Sequence, residues 1–251
     1  MLAPGVSALF PNRLAAIIRW NDRAQAAQAV AVAARAGIGS VEITVATPGV
    51  FDLIRELRAS RDLGQECSFG VGTVTDAELA SRAIEAGAQY LVTPYLVPAV
   101  AEVANRAQVP LVMGALTPTE IARAEELGAQ LVKVFPAAPV GGPAYIRAIR
   151  GPMPSSPIWV SGGVRIEDSL EYLDAGADVV GLTNDLFRPD LLMAEDWDGL
   201  TSLCERALRE VAERASGSPE EAGQPHQSGG NGTSGSGSTP TPREAITSPI
   251  R

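Results

Sequence analysis

The chain has 251 residues, 45% apolar and 5% aromatic, with 29 acidic against 20 basic side chains and a formal net charge of −9. That length can bury one substantial core, and an acidic surface without a basic stripe excludes nucleic acid as the main partner. No apolar run of about eighteen residues occurs, and no basic flank leads into an apolar stretch at the start, so neither a membrane span nor a secretion signal is expected.

Residues 1–215 alternate two textures. The first β-branched run is Leu14–Ile18, followed by Arg19 and a helical stretch that ends at Gly37. The second, Ser40–Thr44, carries Glu42 between Val41 and Ile43, and the third runs from Ser68 to Thr73. Thr75-Asp76 then caps the helical segment DAELASRAIEAG, which stops at Gly87 before the fourth run, Tyr90–Thr93. The fifth is Pro110–Gly114. Thr117-Pro118 opens the next helix with a cap and a first-turn proline, and Gly128 closes it before the sixth run, Leu131–Phe135. The seventh is Ile158–Gly162, and Gly176 precedes the eighth, Val179–Leu182. A last helix is expected over roughly 194–215. Glycine just past a helix, followed by a strand, is the usual helix C-terminal signal, and it recurs at positions 37, 87, 128 and 176. Eight strands alternating with eight helices predict an α/β fold, a (β/α)8 barrel. The alternative is an open doubly wound sheet. Against it, the first helix opens on IIRWNDRAQ, with no Gly-x-Gly-x-x-Gly.

From Ser216 onward the composition turns to Gly, Ser, Pro and Thr, and residues 216–251 are expected to be a disordered tail. Its final REAITSPIR reads either as a docking peptide or as inert chain, and Asn231-Gly-Thr fits a glycosylation sequon that a cytoplasmic location would leave unused. Cys67 and Cys204 read as buried small hydrophobes in a reducing compartment. The single histidine, His226, lies in the tail, so within the barrel no histidine base, triad or metal site is possible.

Catalysis in such a barrel is built at the carboxyl ends of the strands. The polar residues there are Arg19, Glu42, Thr44, Thr73, Thr93, Lys133, Ser161 and Thr183-Asn184. Lys133 is the only lysine in a chain with nineteen arginines, and it sits inside the apolar run Leu131-Val132-Lys133-Val134-Phe135. Arginine serves as well for most surface charges but cannot become a neutral amine. Lys133 is therefore either a snorkelling or ion-paired lysine, or a desolvated nucleophilic amine capable of a Schiff base. Glu42 is either a salt-bridged core glutamate or a general base whose pKa burial raises. Gly162-Gly163 after the seventh strand and the loop after the eighth occupy the position where barrels commonly hold a phosphate.

The motifs VEIT, GVGTVTDAE, VTPYL, KVFPAAPVGGPAYIRAIRGPMP and VSGGV, in this order, resemble the 2-keto-3-deoxy-6-phosphogluconate (KDPG) and 4-hydroxy-2-oxoglutarate (KHG) aldolases over approximately residues 12–212. The resemblance implies a class I, metal-free aldolase without a cofactor, a homotrimer acting in the cytoplasm on a 2-keto acid or sugar-acid phosphate. It matches Lys133 to the Schiff-base lysine and Glu42 to the catalytic acid/base. It also implies substrate contacts from Arg19, Thr73, Pro94, Phe135, Ser161, Gly162, Gly163, Thr183 and Asn184. The implied reaction is cleavage of KDPG to pyruvate and glyceraldehyde 3-phosphate. Alternatives are an unphosphorylated 4-hydroxy-2-oxo acid, the galacto epimer, or a silent sugar-phosphate-binding barrel. Three departures stand out. The segment after the strand-two glutamate, where some members carry an arginine, is Thr44-Val45-Ala46-Thr47, which leaves the carboxylate to Arg19 and backbone amides. Ser161-Gly162-Gly163 replaces a common Thr-Gly-Gly, and Thr183-Asn184 stands where Gly-Ser is common, which weakens the expected phosphate cradle.

Overall fold

In the computed structural model, residues 2–63 and 67–216 are described, with side chains to residue 212. Eight parallel strands close on themselves in sequence order: β1 (Leu14–Ile18), β2 (Ser40–Thr44), β3 (Ser68–Gly72), β4 (Tyr90–Val92), β5 (Leu111–Ala115), β6 (Leu131–Val134), β7 (Ile158–Val160) and β8 (Val179–Leu182). The expected barrel is therefore present, and each strand lies within a residue or two of its predicted limits. Closure is made by β8 pairing with β1, with Leu14 opposite Val180 and Ala16 opposite Leu182.

The helices are α1 (Pro4–Ser7), α2 (Arg23–Arg35), α3 (Val50–Ala59), α4 (Ala77–Glu85), α5 (Pro98–Ala107), α6 (Pro118–Glu126), α7 (Gly142–Arg150), α8 (Ser169–Asp174), α9 (Pro189–Ala194) and α10 (Trp197–Ser216). The predicted start signals hold. The Asp76 carboxylate accepts from the Leu79 N–H at 2.8 Å. Thr117 and Glu120 form a reciprocal capping box at α6. Gly37 takes a positive φ of 98°, and the Ile38 N–H returns to the Ala33 carbonyl, the expected left-handed helix exit. The last helix expected over roughly 194–215 is α10, and a short helix that the sequence did not suggest, α9, precedes it. Glu195, with φ of 53°, turns the chain between them.

Alternation along each strand sorts the apolar side chains into two clusters. Val41, Ile43, Phe69, Val71, Val132 and Val134 face outward into the helix layer. Ala15, Ile17, Tyr90, Val92, Val112, Leu131, Trp159 and Val179 fill the barrel interior together with Val6 and Phe10. The last two belong to the N-terminal segment around α1, which plugs the amino end of the barrel. The Phe10 ring lies 5.1 Å from Tyr90 and 5.3 Å from Trp159, centroid to centroid, and each such aromatic pair adds about 0.5–1.5 kcal/mol beyond its burial. The Tyr90 hydroxyl, whose pKa burial drives well upward, shares a 2.9 Å hydrogen bond with Ser40. The lower half of the barrel is thus closed and dry, which leaves only the carboxyl end for chemistry. Of the expected tail 216–251, only Ser216 falls within the described residues.

Candidate active site

Glu42 and Lys133 meet across the barrel. Each sits on a strand whose neighbours in sequence are outward-facing valine or isoleucine, so the period of two turns both side chains inward. The Lys133 Nζ lies 3.2 Å from Glu42 Oε2 and 3.4 Å from Oε1. Glu42 is fully buried and Lys133 is 7% exposed. The room for this pair comes from a glycine on the adjacent strand. A Cβ at Gly72 would stand 1.8 Å from Glu42 Oε1, so any larger residue there would push the carboxylate away. Aromatic rings complete the surroundings: Nζ is 5.5 Å from the Trp159 ring centroid and 5.8 Å from that of Phe135. A desolvated ion pair of this kind is a poor stability device, because the cost of removing both charges from water offsets most of their attraction. Its presence is better explained by chemistry.

A cavity of about 490 Å³ opens directly over this pair. Its inner wall is Ile17, Arg19, Glu42, Lys133 and Phe135. Its outer wall comes from the loop after β7, with Ser161, Gly162 and Gly163, and from the loop after β8, with Thr183 and Asn184. Nine of the eleven residues expected from sequence therefore share one cavity. The other two stand just behind it. Thr73 accepts a 3.2 Å hydrogen bond from Arg19 Nη2 and so steers that guanidinium. Thr73 does so at a φ of 60°, a conformation that costs a β-branched residue about 1–2 kcal/mol. Pro94 lays its backbone over Gly114, the β5 residue paired with Lys133, with no room for a Cβ between them. Thr93, also at a strand end, is spent structurally: it donates to the Tyr95 carbonyl and accepts from the Gly114 N–H. Thr44 is buried and its hydroxyl has no hydrogen-bond partner.

Three features were not anticipated. Trp159 packs beside the amine, and its place inside the apolar seventh run gives no sign of this. Arg165 and Asp185 line the outer cavity. They follow the expected phosphate loops by only two residues and one residue, a spacing that could have drawn attention to them.

A second depression, of about 540 Å³, lies around Phe51 and Arg82 between α3 and α4. Its lining contains no lysine, cysteine or histidine. Among the described residues no group of three or more His, Cys, Asp or Glu side chains is placed to hold a metal ion.

A family model described as KDPG and KHG aldolase matches residues 7–203. The 2-dehydro-3-deoxy-phosphogluconate aldolase of Pseudomonas aeruginosa is 32% identical over 181 residues, spanning 72% of this chain and 80% of that protein. The 2-dehydro-3-deoxy-6-phosphogalactonate aldolase of Escherichia coli is 32% identical over 176 residues, 70% of this chain and 84% of that one. Among solved structures, KDPG aldolase from Legionella pneumophila, with pyruvate captured as a covalent carbinolamine, superposes with a TM-score of 0.72 at 25% identity, covering 82% of this chain and 98% of that one.

Proposed function

The chain belongs to the KDPG and KHG aldolase family, and from that premise we propose that it is a class I aldolase in which Lys133 forms the Schiff base and Glu42 moves the protons. The observation that carries this reading is the 3.2 Å approach of the chain's only lysine to a fully buried carboxylate at the open end of a barrel.

The chemistry follows from the positions. The Lys133 proton has an acceptor in Glu42, which frees the amine to attack the C2 ketone of a 2-keto-4-hydroxy acid. Attack leaves an ammonium nitrogen and a C2 alkoxide. Glu42, now protonated, gives its proton to that oxygen, then takes one from the nitrogen and passes it on to the resulting hydroxyl. Water leaves, a protonated imine remains and Glu42 is again a carboxylate. Glu42 then takes the C4 hydroxyl proton. The C3–C4 bond breaks, its electron pair flows into the imine, and an aldehyde departs. Protonation of the enamine at C3 and hydrolysis of the imine return pyruvate and the free lysine. Arg19, held by Thr73, binds the substrate carboxylate, Phe135 walls the reacting carbons, Pro94 backs the Lys133 strand through Gly114, and the loops carrying Ser161, Gly162, Gly163, Thr183 and Asn184 receive the tail.

The named relatives point to KDPG as substrate, with glyceraldehyde 3-phosphate as the departing aldehyde. A second reading, an unphosphorylated 4-hydroxy-2-oxo acid, is favoured by Thr183-Asn184 in the outer loop. The same proposal makes residues 1–215 the catalytic unit, acting as a homotrimer in the cytoplasm. It draws on the family resemblance and on the fact that no described helix is long and apolar enough to cross a membrane. The direct test is pyruvate release from KDPG by the parent chain and by Lys133→Arg. Arginine keeps the charge and cannot form an imine at neutral pH, so turnover should vanish while the circular dichroism spectrum is kept. Retention of more than about one per cent of the activity would remove Lys133 from the mechanism.

A further inference from the structure

The two ends of the cavity differ in charge. At the inner end Arg19 and Lys133 outnumber Glu42, leaving one positive charge for the single carboxylate of a 2-keto acid. At the outer end the balance reverses. Asp185 lines the cavity and its Oδ2 accepts from the backbone N–H of Ile166 at 2.7 Å. Ile166 opens the 3-10 turn Ile166–Asp168 that leads into α8, so this backbone donor, pointing from the β7 loop toward the β8 loop, already has an anion of the chain's own. The one cation there, Arg165, is held by carboxylates as well. Its Nε and Nη2 each reach Asp168 at 2.8 Å, and Nη1 reaches Glu167 at 2.6 Å. Arg165 is thus paired with two carboxylates and lies in the field of Asp185 as a third, while Arg188, which also feels Asp185, is paired with Asp190.

A phosphate monoester carries close to two negative charges near neutral pH and needs donors not already committed. At this outer wall the N–H groups of Gly162 and Gly163 have no acceptor among the described residues, but a phosphate drawn to them would face the Asp185 carboxylate and a guanidinium whose bidentate face is taken. A hydroxylated tail meets the opposite conditions: the free Asp185 oxygen accepts from a hydroxyl, and the Asn184 amide and Thr183 hydroxyl donate or accept in turn.

We infer that Asp185 is a specificity-determining residue, and that it directs the cavity toward 2-keto-3-deoxy acids whose far end is an uncharged polyol rather than a phosphate. This rests on the aldolase reading above and narrows its substrate class. Removing the Asp185 charge while keeping its acceptor should reverse the discrimination, and Asp185→Asn does this because the amide oxygen can still take the Ile166 N–H. Two like charges a few ångströms apart near a protein surface change an affinity by roughly ten- to a hundredfold.

The experiment measures kcat/KM for pyruvate release from KDPG and from its dephosphorylated counterpart, using the parent chain and Asp185→Asn. The parent should handle the dephosphorylated acid at least as well as KDPG. The ratio of KDPG to dephosphorylated kcat/KM should rise ten- to a hundredfold in the variant. A parent that prefers KDPG by tenfold or more, or a ratio unmoved by the substitution, overturns the inference. Borohydride reduction with pyruvate, run in parallel, separates the two levels. If the adduct forms on Lys133 and neither acid is cleaved, the tail assignment is wrong and the aldolase reading stands. If no adduct forms, both are wrong.

Discussion

Glu42 reaches Lys133 only because Gly72 lacks a side chain, and the pair is legible in the sequence for different reasons at its two ends. Lys133 is legible through composition, since a chain that uses arginine nineteen times has a chemical motive for one lysine. Glu42 is legible through context, as a carboxylate inside an apolar strand. Whether it is a structural partner or an acid/base is what Glu42→Gln resolves. Gln keeps the shape and cannot transfer the proton, so kcat should fall by about 10²- to 10⁴-fold. A kcat that stays constant while the melting temperature drops would make Glu42 a structural ion-pair partner. Asp185 and Arg165 were not legible as site residues. Both are charged residues of a kind usually found in solvent, and their relation depends on two loops, after β7 and after β8, meeting in space.

At the scale of elements, the strands and helix ends were readable because each carries a local chemical reason: β-branched runs, caps that satisfy free N–H groups, and glycines at positive φ. The α6 capping box gives one of these reasons a measurable consequence. Glu120 Oε2 accepts from the Leu116 and Thr117 N–H groups at 2.9 and 2.8 Å, and these backbone bonds hold its carboxyl below the usual range. A depressed folded-state pKa contributes stability that is present above the unfolded carboxyl pKa and is lost as the pH falls through the folded one. Glu120→Gln should therefore lower stability near neutral pH by about 0.3–1 kcal/mol, the range for a charge at an exposed helix start. The difference between the two proteins should close in acid, where both carry a neutral side chain. Thermal melts across that pH range check it, and a gap that persists in acid would assign the loss to packing. Two short elements escaped prediction, α9 and α1. The four residues of α1 give no periodicity to read, and the role of Phe10 as a plug appears only once Tyr90 and Trp159 are seen to converge beneath it.

At the scale of the whole molecule, a barrel closed at its amino end by an aromatic plug and wrapped by helices leaves its thiols inaccessible. Burial pushes the thiols of both Cys67 and Cys204 up to about 12, so almost no thiolate exists near neutral pH. An aromatic disulfide reagent should react with the folded chain at least about a hundredfold more slowly than with the denatured one. Fast labelling of either cysteine in buffer would show that its region opens locally. The closed lower half also explains why the fold was more legible than the substrate. Barrel closure follows from repetition over the whole chain, whereas tail preference rests on a few loop residues whose charges are set by one another.

The central claim is that Lys133 is a nucleophilic amine, and its most direct measurement is borohydride reduction of the protein in the presence of pyruvate, read by intact mass and peptide mapping. Because the chain has a single lysine, the N-terminal amine is the only other primary amine to separate. The account predicts one reduced pyruvyl adduct, located at Lys133 and missing in Lys133→Arg. A protein that releases pyruvate from its substrate without acquiring that adduct, or acquires it only at the N-terminus, would contradict the account.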